Sequence, residues 1–124
     1  MKTTKSKEVI PILPVPDVEA AVRFDTERLG FRLSFRDRSD PNNYVGVRRD
    51  GVELHLQRHD EEDIPEKGTL MLRFIVDDPD SLFAESRQQG VFHEGTELGD
   101  KPWGTREFAF YDLNGHGLTF YRDL

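Results

Sequence analysis

The chain has 124 residues, no cysteine, 35% hydrophobic and 33% charged residues, and a formal net charge of −7. The length suffices for one compact domain with a buried core, and the absence of Cys excludes a disulfide framework, a thiolate metal site and a thiol nucleophile. The acidic balance argues against nucleic acid, whose binding needs a basic face, and favours a cationic small molecule as partner.

Met1 to Lys7 is basic and is expected to be a loose tail. The longest apolar run, Val9 to Val15, is broken by Pro11 and Pro14 and is too short for a signal peptide core or a membrane span. A soluble cytoplasmic protein is the expectation. Val9 to Val15 reads as an edge strand, where proline is tolerated. Asp17 is a good N-cap for a helix that carries Val18, Ala21 and Val22 on one face and stops near Leu29, with Gly30 at its C-terminal cap. Phe31, Leu33 and Phe35 alternate with polar residues, the period of a half-buried strand. In the next strand Tyr44, Gly46 and Arg48 alternate with Val45 and Val47. Asp50-Gly51 is a hairpin turn, after which Val52, Leu54 and Leu56 point one way and Glu53, His55 and Gln57 the other.

An acidic stretch, His59 to Gly68, reads as a linker, and the pattern then repeats. Leu70 to Val76 is a predicted strand, and Asp78-Pro79 caps and starts a helix that Gly90 ends. Val91 and Phe92 open a further strand, Arg106 to Tyr111 forms the next, Asn114-Gly115 is a hairpin turn, and Leu118 to Tyr121 closes the chain. The halves overlay: Val15-Pro16-Asp17 falls on Val76-Asp77-Asp78, Asp50-Gly51 on Asn114-Gly115, and Leu54-His55-Leu56 on Leu118-Thr119-Phe120. Matches in the same order beside the same elements indicate duplication. The expected fold is α+β, with two βαβββ repeats forming a curved mixed sheet around a cleft. Repeat one covers about residues 8–58, the linker about 59–68 and repeat two about 69–122, all within one domain.

Side chains opposite the apolar stripes face that cleft. His55 is among them and can act as a hydrogen-bonding, titrating group. Phe35 and Tyr44 offer aromatic walls. Trp103, the single Trp, sits in a Pro-Gly context where it is either packed or free to meet a planar ligand. Arg106 and Glu107 open the following strand, so that alternation turns one of them inward, and Phe110 on that strand is a further candidate contact. Asp37, Asp40, Glu97 and Asp100 are expected at the mouth, where carboxylates attract a cation. There is no Ser-His-Asp set, phosphate-binding glycine loop or paired-His motif.

The βαβββ repeat, Leu13-Pro14-Val15-Pro16-Asp17 and Arg28-Leu29-Gly30-Phe31 resemble the vicinal oxygen chelate superfamily. The stretch from Lys101 to Phe108, KPWGTREF, followed by Asp112 and Gly115, is similar to its bleomycin resistance branch. The metal enzymes of that superfamily place ligands on the first and last strands of each half, slots that fall here at Ile10, His55, Met71 and Thr119. Only His55 can bind an ion, whereas a Lewis-acid site needs about three N or O ligands. The resemblance therefore implies no catalytic residues, no metal and no cofactor. It implies sequestration of a planar cationic drug such as bleomycin in clefts between the subunits of a homodimer, with Trp103 stacking on the drug and the N-terminal strands exchanged. The alternatives are a divergent metal-dependent lyase, isomerase or dioxygenase, with Glu53 or Glu107 as additional ligands, and a binding protein for another small metabolite.

Overall fold

The computed structural model describes residues 3–124, so Met1 and Lys2 of the expected tail lie outside it. Each repeat builds one four-stranded mixed sheet with a helix across one face. The first repeat comprises β1 (Ile12–Val15), α1 (Val18–Arg28), β2 (Arg32–Arg36), β3 (Tyr44–Arg49) and β4 (Val52–Arg58), in the sheet order β1-β4-β3-β2. The second comprises β5 (Met71–Ile75), α2 (Pro79–Gln88), β6 (Gly99–Asp100), β7 (Thr105–Tyr111) and β8 (Gly117–Asp123), in the order β5-β8-β7-β6. The ladders are not continuous from one sheet to the other. In each, the first strand runs parallel to the last, which pairs antiparallel with the third. Ile12 lies beside His55 and Arg73 beside Thr119, so the two repeats keep equivalent registers.

Local chemistry accounts for the element ends. The Asp17 carboxylate accepts from Ala20 N at 3.0 Å and caps α1. Asp78 caps α2 through Ser81 N and Oγ, with Pro79 in the first turn. Gly30 and Gly90 follow the two helices with φ of +74° and +69°, a conformation that favours glycine.

Three expectations are adjusted. Val9 and Ile10 lie outside the strand, and β1 begins at Ile12, although Pro11 O still accepts from His55 N at 3.0 Å. Val91 and Phe92 pack into or against the core without forming a strand; a turn closed by His93 and Thr96 intervenes, and the short β6 takes the edge. The linker carries one turn of 3₁₀ helix at Glu61–Asp63.

One buried core runs through both repeats, but its chemistry changes between them. The first repeat buries mainly aliphatic residues, including Leu13, Val15, Val45, Val47, Leu54 and Leu56, with Val18, Ala21 and Val22 from α1. The second is an aromatic assembly: Phe108, Phe110 and Phe120 stack on one another, Phe74 stacks on Phe120, and Phe83 and Phe92 close on Phe108. Arg49 ties the halves together, donating to Leu29 O at 2.8 Å and to both oxygens of Glu85 on α2. α1 also carries a buried polar group, Asp25. Its burial, reinforced by the charge of Asp112, pushes its carboxyl up from 3.8 to about 8. Asp112 itself accepts from His116 Nδ1 at 3.0 Å and from His116 N, which fixes the β7–β8 hairpin.

Candidate functional site

Each helix packs on its own sheet, leaving the other face of each sheet free of helix. On the first sheet that face collects Phe35, Tyr44 and His55. Strict alternation from the buried Phe31 would send Phe35 into the core. A register shift between Leu33 and Phe35 turns it out instead, opposite Gly46 and beside His55. Gly46 is required there, because a Cβ at that position would collide with the Phe35 ring. Phe35 stacks on Tyr44 with centroids 6.1 Å apart and meets His55 edge-on at 5.1 Å.

His55 is held at both ring nitrogens. Nδ1 lies 2.7 Å from Tyr44 Oη and Nε2 lies 2.8 Å from Glu53 Oε2. Glu53 Oε1 also accepts from Ser34 Oγ at 3.0 Å and Arg48 Nε at 3.2 Å. The hydrogen bond from His55 and then that from Ser34 hold the Glu53 carboxyl below the usual range.

The free face of the second sheet is organised around Glu107, which is the inward member of the Arg106–Glu107 pair. Glu107 Oε1 accepts from Thr105 Oγ1 at 2.6 Å, Trp103 Nε1 at 2.9 Å and Arg73 Nη2 at 3.4 Å. Burial pushes this carboxyl up, but the bonds from Thr105, Trp103 and Arg73 outweigh it, and the net shift is downward. The Arg73 guanidinium also lies 4.2 Å from the centroid of the Tyr121 ring. Trp103 stands in a tight turn in which Gly104 N donates to Lys101 O. Its indole N–H is engaged, yet the residue is 64% exposed. The ring is thus oriented by its edge and left open elsewhere.

Phe110, three residues after Glu107 on the same strand, has the opposite parity and lies 3% exposed in the aromatic core. It borders a recess of about 610 Å³ between the repeats, which none of the other five candidates lines. The expected acidic mouth is also partly occupied by internal bonds. Asp37 accepts from Ser39 Oγ and Asn43 N within its own loop, and Asp100 pairs with Arg106 at 3.0 Å; Asp40 and Glu97 are exposed. Sequence reasoning missed Ser34, Arg48, Arg73 and Tyr121. For Arg73 and Tyr121 the parity with Thr119 was available as a signal.

His55 uses both nitrogens, its strand neighbour on β1 is Ile12, and its counterpart Thr119 adjoins Arg73. No group of three or more His, Asp or Glu side chains suited to holding an ion occurs among the described residues.

The two-repeat fold with one aromatic, polar-edged face on each sheet defines a class that the comparisons identify. Residues 9–120 match the Glyoxalase/Bleomycin resistance protein/Dioxygenase superfamily, and the chain belongs to that family. It is similar to the bleomycin resistance protein of Geobacillus stearothermophilus, at 26% identity with 93% of this chain and 96% of that protein covered. Among solved structures it resembles the bleomycin-binding protein of bleomycin-producing Streptomyces verticillus complexed with copper(II)-bleomycin. The TM-score is 0.80 and the identity 30%, covering 98% of this chain and all of that one. It also resembles TnmS3, an antibiotic binding protein from Streptomyces sp. CB03234, with a TM-score of 0.75 and 26% identity over 99% of this chain and all of that one.

Proposed function

We propose that this chain binds and sequesters a bleomycin-like planar cationic antibiotic without altering it, in clefts formed between the subunits of a homodimer. The observation that carries this reading is the pair of aromatic platforms with polar edges held and surface left open: Trp103 on Glu107, and Phe35 with Tyr44 around His55. Such rings offer flat apolar area at little cost in conformational freedom. The relatives that carry bleomycin in their names, one of them solved with the copper-loaded drug, supply the ligand.

Dimerisation is supported by apolar side chains on the same faces. Ile12, Met71 and Ile75 are 51%, 55% and 74% exposed, as expected where a second copy would close the cleft. Residues 3–11 form no strand and Val9 is exposed, which suits exchange of that arm between subunits. The cytoplasm is the compartment expected for a carrier that intercepts a drug inside the cell. No helix of the described residues is long and apolar enough to cross a membrane.

Titration with bleomycin, followed by Trp103 fluorescence and calorimetry, tests the reading. Quenching and heat that saturate together are expected. Their absence at high micromolar drug, or recovery of a chemically altered drug, would overturn it. Sedimentation equilibrium tests the dimer, and a monomer at the concentration that binds drug would remove the shared cleft.

A further inference from the structure

We infer that the first sheet presents an acceptor-only polar group, the Tyr44 phenolic oxygen, set by Glu53 through His55, and that it selects ligands carrying an N–H or ammonium donor. This deepens the small-molecule-binding reading and rests on it for the existence of a ligand, but not on that ligand being bleomycin.

The argument is a count of hydrogens along a chain of three side chains. Glu53 is gathered by His55, Ser34 and Arg48, of which Ser34 and Arg48 approach it as donors. The Ser34 hydroxyl and the Arg48 guanidinium both bond Oε1, so Oε2 is left for the imidazole. An ionised carboxylate can only accept. His55 Nε2, 2.8 Å away, must therefore carry a hydrogen, because two lone pairs facing each other at that distance would repel.

With the hydrogen on Nε2, a ring carrying a single hydrogen has its lone pair on Nδ1. The phenol 2.7 Å away then has one way to make its bond: Tyr44 Oη donates to Nδ1. Its single hydrogen is engaged, and what remains on the oxygen is lone pairs. No other hydrogen bond to Tyr44 Oη occurs among the described residues. A ligand laid on Phe35 and Tyr44 thus meets an oxygen that accepts and cannot donate. Glu53 is a positioning residue, acting through the imidazole on the polarity of a group two bonds away.

The same logic states what would invert it. Replacing the carboxylate by an amide can place an N–H against Nε2, which moves the ring hydrogen to Nδ1. Tyr44 would then accept from His55 and turn its own hydrogen toward the ligand. Glu53→Gln is nearly isosteric and should leave the fold intact while removing the site's preference for a donor.

Two measurements test the inference. The first needs no ligand: ¹⁵N spectra of the His55 ring at about pH 8, where an ordinary imidazole is neutral. A pyrrole-type Nε2 and a pyridine-type Nδ1 are expected in the wild-type protein, exchanged in Glu53→Gln. The reverse pattern in the wild type, or a ring protonated at both nitrogens, would overturn the assignment. The second compares indole with its isostere benzofuran, which lacks the N–H, by saturation-transfer NMR. The wild type should favour indole by about tenfold, the scale of one hydrogen bond, and both Glu53→Gln and Tyr44→Phe should lose that preference. Equal binding of the two probes to the wild type, or binding of neither, would overturn the selectivity. A protein that passes both tests but ignores bleomycin would keep this inference and lose the drug-sequestration reading.

Discussion

The two repeats share a backbone plan and differ in nearly everything laid on it. The first has an aliphatic core and a free face centred on an imidazole; the second has an aromatic core and a free face centred on an indole. Each face nonetheless uses the same device, a carboxylate that holds the polar edge of an aromatic ring. The carboxylates are not repeat-related. Glu53 precedes His55 by two residues on β4, whereas Glu107 follows Trp103 across a turn into β7. The duplicated part is the topology and register, and the chemistry was placed on each copy separately.

The largest expected effect lies in the cores. Phe108 touches Phe83, Phe92, Phe110 and Phe120, and Phe108→Ala should lower unfolding free energy by about 3–5 kcal/mol, against about 2 kcal/mol for Val47→Ala in the first repeat. Urea denaturation measures both. Equal losses would show that the aromatic stack adds no more than the aliphatic packing.

Second comes Trp103→Ala, expected to weaken bleomycin binding by about 1–3 kcal/mol, the range for an aromatic anchor. Isothermal titration checks it. Unchanged affinity would leave the first face as the sole platform.

Much of this arrangement was legible in the sequence. The helix caps at Asp17 and Asp78, the turns at Asp50-Gly51 and Asn114-Gly115 and the repeat register follow from local chemistry and period. The parity of His55 and Tyr44 followed from alternation along single strands, whereas alternation alone did not say which of Arg106 and Glu107 turns to the free face. What alternation could not show is the bulge that turns Phe35 outward, because a register shift depends on the partner strand and on the room left by Gly46. Phe110 differs from Glu107 in parity, and counting by twos assigns it to the core. Neither the His55–Glu53 bond nor the Trp103–Glu107 bond was legible, since each depends on rotamers that packing selects.

Asp25 sharpens the comparison at the joint between the repeats. Its counterpart on α2 is Ser86, also buried but without a charge to desolvate. The Asp25 carboxyl stays protonated in the folded protein up to about pH 8, whereas in the unfolded chain it ionises near 3.8. The unfolded state therefore releases its proton first, and the contribution of Asp25 to stability is lost as pH rises from about 4 to about 8. Asp25→Asn should remove this slope and stabilise the protein at pH 8 by on the order of 2 kcal/mol, because a buried site relaxes partly around its charge. Urea titrations of both proteins at acidic pH and at pH 8 decide it. Parallel pH profiles would mean that the carboxyl is solvated in the folded state.

The smallest effect expected is that of Glu107→Gln, and it separates orientation from attraction. The amide oxygen can still accept from Trp103 and Thr105, so the indole should keep its place while Arg73 loses a charged partner. Drug affinity should fall by only about 0.5–1 kcal/mol, the scale of a partly exposed ion pair. The folded Glu107 carboxyl is held below its unfolded value, so its stabilising contribution is present above the usual carboxylate range and is lost as pH falls through the depressed folded value. Acid should therefore loosen the Trp103 turn in the wild type, seen as a shift in indole emission that Glu107→Gln does not show. If the variant instead binds as poorly as Trp103→Ala, the charge of Glu107 acts on the ligand directly, and the second face recognises a cation where the first recognises a hydrogen-bond donor.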